Sequence, residues 1–97
     1  MDGDLLNKIK FAMRIDGEDH DEEIKDMIVE AKKLIEEAGV SVSKINDDDP
    51  LIRKACISYC KSNFGYDDKH DKFASIFKEM LIHLSLLSSY KGDENGG

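Results

Sequence analysis

The chain has 97 residues, 40% hydrophobic and 36% charged, a composition that fits one small globular domain and excludes a disordered chain. Its formal net charge is -7 and it has no run of Lys and Arg, which argues against a module built to grip nucleic-acid phosphate. With no apolar stretch of about eighteen residues and no charged-then-apolar leader, a soluble cytoplasmic product without a membrane partner is expected.

Periodicity predicts an all-α fold, a small bundle of four main helices with a central third helix and a long fourth. No strand alternation and no internal repeat is visible. The first helix spans roughly Asp4 to Met13, with Leu5, Leu6, Ile9, Ala12 and Met13 on one face. Phe11 and Ile15 point elsewhere and need cover from another element or another chain. Asp16-Gly17 ends this segment. The second helix, from about His20 to Ala38, carries the stripe Ile24, Met27, Ile28, Ala31, Leu34, Ile35 and Ala38, with Gly39 suited to a left-handed C-cap.

In the loop "VSVSKINDDDP", Val40, Val42 and Ile45 are candidates to pin the chain to the core. Asp49 is a strong N-cap and Pro50 suits the first helical position. The other two aspartates, Asp47 and Asp48, read as solvated charges. The third helix, Pro50 to about Phe64, is apolar over about two-thirds of its circumference, at 100° per residue. A helix apolar on most sides belongs at the centre of a bundle. Gly65 ends it. After "YDDKHDK" the fourth helix, about Asp71 to Tyr90, carries Phe73, Ile76, Phe77, Met80, Leu84 and Leu87, with Ile82 and Leu86 almost opposite. Residues 1–91 form the single expected domain, and 92–97 a disordered tail.

The richest candidate chemistry is "RIDGEDHDEEIKDMI", with six carboxylates between Asp16 and Glu23. A calcium loop starting at Asp16 fails: Gly falls at the second position instead of the sixth, and Met27 stands where the bidentate carboxylate belongs. Asp19 as N-cap with Glu22 three residues later reads instead as a capping box, with acidic charge at the positive end of the helix dipole. Weak, nonspecific divalent-cation binding is the alternative. Cys56 and Cys60, one helical turn apart, lack a CxxC or HExxH context and read as small core side chains in a reducing compartment. His20, His70 and His83 are scattered, with no nucleophile, phosphate loop or dinucleotide motif beside them. Neither an enzyme nor a cofactor is expected.

Apolar residues on second helical faces point to contact with other chains: Phe11 and Ile15, Val29, and Ile82 with Leu86.

The order of these segments resembles the small phage head–tail connector (adaptor) family, also described as DNA-packaging-like proteins. The matching stretches are "LLNKIKFAMRID", an acidic gap, "DEEIKDMIVEAKKLIEEAGV", "DPLIRKACISYCKSNFGYDD" and a last apolar helix, covering about residues 4–90. Leu51, Ile52, Ala55, Ile57, Tyr59 and Phe64 fill the family's third-helix pattern. The sequence departs from it in having no Trp at the end of that helix and no Pro before the fourth.

The resemblance implies a virion-assembly part: a homo-oligomeric ring, commonly of twelve subunits, below the portal protein. Such a ring extends the channel for double-stranded DNA without sequence-specific binding, and presents a platform to a head-completion or tail protein. It assembles in the host cytoplasm and ends at the head–tail junction of the virion. Self-association is then expected through Val29, Ile82 and Leu86, and portal contact through Leu86, Leu87 and Tyr90. The rival expectation is a helical protein-binding adaptor or regulator acting as a monomer or dimer.

Overall fold

The computed structural model describes residues 2–64 and 70–87, with side chains from Leu5 onward. Its elements are α1 (Asp2–Met13), α2 (Asp21–Glu37), a 3-10 turn (Val42–Lys44), α3 (Pro50–Asn63) and α4 (His70–Leu86). The fold is a small all-α bundle, with no strand among the described residues. Residues 88–97, including Tyr90 and the expected tail, lie outside them, as does Gly65.

α3 contacts each of the other helices, α4 most extensively and α2 next, whereas α2 and α4 meet only slightly. The sequence explains this centrality. Ile52, Ala55, Cys56 and Cys60 of α3 are buried, and Ser58 is buried beside them. Around them close Leu5, Leu6 and Ile9 of α1, the Ile24–Ile35 stripe of α2, and Phe77, Met80 and Leu84 of α4. Tyr59 joins three helices. Its ring lies 5.0 Å from that of Phe77, and its hydroxyl donates to Glu30 Oε1 at 2.9 Å.

Both early helices end in the same backbone motif with different residues. After α2, Gly39 adopts φ +115° while its N–H bonds to the Glu36 carbonyl, and Val40 N–H reaches the Ile35 carbonyl. After α1, Arg14 takes the left-handed position at φ 60°. Its N–H bonds to the Phe11 carbonyl, and Ile15 N–H to that of Lys10. α1 therefore stops at Met13 through Arg14, ahead of Gly17. Ile15 turns inward against the core, so its cover comes from its own chain.

The start of α2 differs from the predicted capping box. His20, not Asp19, is the N-cap residue, its carbonyl accepting the Ile24 N–H, and no side chain caps the helix. The reason is tertiary. The His20 ring packs edge-on against Phe64, with centroids 4.9 Å apart, and its Nδ1 lies 3.3 Å from Glu23 Oε1. This contact draws the joint into a turn instead of the extended cap that Asp19 and Glu22 would need. Asp21, the first helical residue, pairs with Lys10 of α1 at 2.7 Å.

Asp49 caps α3, its carboxylate accepting from Leu51 N–H at 2.9 Å and Ile52 N–H at 3.4 Å. Asp47 is not a solvated charge: it pairs with Lys32 of α2. Arg53 donates to the carbonyls of Asp47 and Asp48, at 3.3 and 2.8 Å, and ties the loop to α3. Val40 is buried and Ile45 half-buried, but Val42 stands out of the 3-10 turn at 63% exposure and does not anchor the loop. A 3-10 turn brings residues three apart to the same side, so Val42 lies on the side of Ile45, over a groove beside α2 that leaves it open to solvent.

Candidate assembly interface

The reactive side chains are placed where they do least chemistry. Cys56 and Cys60 are fully buried on α3, and burial pushes both thiols up to about 12 from the ordinary 9.0. Among the described residues no group of three or more His, Cys, Asp and Glu is placed to hold a metal ion. Of the acidic stretch, Asp21 and Glu23 have partners within the chain, Lys10 and His20. Asp16, Glu18, Asp19 and Glu22 stand in solvent. No helix of the described residues is long and apolar enough to cross a membrane.

The surface is more informative than the core. Among the described residues, five large apolar side chains are exposed: Phe11 at 87%, Leu86 at 71%, Val29 at 65%, Val42, and Ile82 at 58%. They fall into three places. Phe11 borders a broad depression at the end of α1 together with Asn7, Arg14 and Ile15. Val29, Val42 and Ile45 line a groove of about 270 Å³ between α2 and the 3-10 turn, edged by Lys32, Lys33 and Glu36. Ile82 and Leu86, one turn apart, make a ridge along α4. A separate groove between α3 and α4 has Ile57, Phe73 and Ile76 as its floor and Arg53, Lys54 and Lys61 at its edge. There the Lys61 ammonium sits 4.9 Å from the Phe73 ring centre.

Of the residues expected at contacts, the structure thus exposes Val29, Ile82 and Leu86. It does not bring them together: Val29 belongs to α2, the other two to α4, and those two helices meet only slightly. Leu87 is half-buried past the end of α4, its N–H bonded to the Leu84 carbonyl at 3.2 Å. Val42 joins the surface instead of pinning the loop to the core. Its exposure depends on how the turn is rotated, for which the local sequence carries no periodic signal. Phe11, off the apolar face of α1, needs cover and has none among the described residues.

A small helical bundle with sealed thiols and separate apolar patches on different faces has the form of a protein that works by contact with other chains. The chain matches the family model for phage connector proteins over residues 5–91, and it belongs to that family. No curated protein and no solved structure matches it.

Proposed function

We propose that this phage connector is a head–tail connector subunit that self-associates into a ring beneath the portal protein, extends the DNA channel, and offers its far side to a head-completion or tail protein. The observation that carries this reading is the exposure of Val29 and of Ile82 with Leu86 on different helices that meet only slightly. A ring is built from heterologous contacts, in which each subunit presents two unlike surfaces and closure follows from rotation. The net charge of -7 supports a channel through which DNA slides without being held, since tight binding requires cations to replace the counterions of phosphate. Portal contact is assigned to the end of α4, through Leu86 and Leu87; Tyr90, the third residue of that set, lies outside the described residues. The role is structural and not catalytic. The protein acts in the host cytoplasm during assembly and at the head–tail junction afterwards.

Light scattering of the purified chain, alone and with portal protein, tests this. A defined oligomer, formed by the chain alone or on the portal, is expected. A chain that stays monomeric and ignores portal protein at high concentration would overturn the reading. A fixed dimer indifferent to portal would favour the regulatory adaptor instead.

A further inference from the structure

Two of the exposed apolar features differ in shape as well as position. The Val29–Val42–Ile45 feature is concave, set between α2 and the 3-10 turn. The Ile82–Leu86 feature is convex, on the side of α4 turned away from the buried Phe77, Met80 and Leu84. The hollow belongs to α2 and the turn that follows it and the ridge to α4, two helices that meet only slightly, so they are separate surfaces of the bundle.

We propose that the groove of one subunit receives the Ile82–Leu86 ridge of a second copy of the chain. This rests on the self-association read above and specifies which surface meets which. Size is the first reason. Removing one large apolar side chain from a core leaves a cavity of about 150 Å³. A groove of about 270 Å³ therefore has room for an Ile or Leu side chain from outside.

Charge is the second reason, and it also fixes the direction. At 100° and 1.5 Å per residue, Lys33 and Glu36 flank Val29 on its C-terminal side, on opposite edges of the helix face. By the same geometry Glu79 and Lys78 flank Ile82 on its N-terminal side, again on opposite edges. When α4 is laid antiparallel on α2 with Ile82 over Val29, Glu79 meets Lys33 and Lys78 meets Glu36. The parallel arrangement, or an exchange of the edges, sets these pairs apart. All four side chains are exposed, and none has an ion pair within the chain among the described residues. Complementary charge of this kind selects register and partner more than it adds affinity. The apolar contact supplies the attraction.

Two double variants test the pairing, each at exposed positions that leave the core intact. Val29→Asp with Val42→Asp removes the hollow and keeps the ridge. Ile82→Asp with Leu86→Asp removes the ridge and keeps the hollow. Circular dichroism should find both as helical as the wild type. At concentrations where the wild type associates, with portal protein added if it associates only there, each variant alone should be monomeric. Mixed in equal amounts they should form a one-to-one heterodimer that grows no further, because only one ridge and one hollow remain intact. If the hollow variant associates alone, ridge meets ridge; if the ridge variant does, hollow meets hollow; either result overturns the proposal, as does a mixture that stays monomeric. If the wild type itself never associates, the self-association reading has failed first, and the two failures are told apart. For the register, Lys33→Glu should weaken wild-type association about tenfold by setting like charges together. Adding Glu79→Lys to the same chain should restore it, and no restoration would overturn the antiparallel placement.

Discussion

Two pairs of residues in this chain share the same spacing and opposite fates. Cys56 and Cys60 are four apart on α3 and fully buried; Ile82 and Leu86 are four apart on α4 and exposed. The pair that carries reactive chemistry is sealed in the core, where burial keeps it protonated. The pair that would be expected inside a core stands in water. One exposed aliphatic residue means little, but two on adjacent turns form a continuous apolar strip. The contrast teaches that position around a central helix, and not residue type, divides this protein into a part that folds and a part left over for other chains.

The largest expected effect tests the sealed pair. In the folded chain both thiols stay neutral to about pH 12, whereas unfolded they ionise near 9.0. Between those values the unfolded state holds fewer protons than the folded state, so raising the pH favours unfolding. Below about pH 9 the contribution is constant. Each thiol should remove on the order of 1 kcal/mol of stability per pH unit across this window, and the two together more than either alone. Tyr59, raised by burial and by its bond to Glu30, adds in the same direction above its ordinary 10.0. Urea unfolding under reducing conditions from pH 8 to 11 should show the decline. The Cys56→Ala/Cys60→Ala variant should show a much flatter one. An equally steep decline in that variant would mean that the thiols are not what burial seals.

At neutral pH the same variants give a smaller effect. Deleting one buried sulfur removes a single methyl-sized group from a packed core and should cost about 1 kcal/mol for Cys56→Ala or Cys60→Ala, read from urea midpoints. Iodoacetamide should modify neither thiol in the native chain on the timescale at which it labels the unfolded one. Fast native labelling would show α3 to be open to solvent and would break the contrast between the two pairs.

How far this division could be read from the sequence depends on how local its causes are. The four helices and the central place of α3 follow from apolar spacing, which is a property of neighbouring residues. So does the outward direction of Val29, Ile82 and Leu86, since they lie off the buried stripes at 100° per residue. Gly39 and Asp49 were legible because the left-handed position and the N-cap favour particular residue types. The misread positions all answer to something distant. Asp19 loses the cap because His20 packs on Phe64. Asp47 is paired because Lys32 of α2 lies across from it. Arg14 takes a position that glycine usually fills, with no local sign of it. The candidate site divides the same way: the ridge is one helix face and was visible, while the hollow needs Val42 and Ile45 brought against α2 by tertiary packing.

The smallest expected effect bears on the exposed pair and has a sign that the buried pair cannot imitate. A core aliphatic cut to alanine loses about 2–5 kcal/mol. Ile82 and Leu86 have few contacts to lose, and alanine is the stronger helix former, by a few tenths of a kcal/mol relative to isoleucine. Ile82→Ala and Leu86→Ala should therefore leave the monomer within about 0.5 kcal/mol of the wild type, with Ile82→Ala on the stabilised side. Self-association should weaken in both, because apolar area that a neighbouring subunit would cover has been removed. Chemical denaturation of the dilute chain, set against light scattering of the concentrated one, reads the two effects separately. Monomer stability that falls by more than about 1 kcal/mol would place these side chains against their own chain and remove the ridge from the assembly. Unchanged stability with weaker association would assign them to the contact alone, since a residue that serves only the fold cannot lose association while keeping its stability.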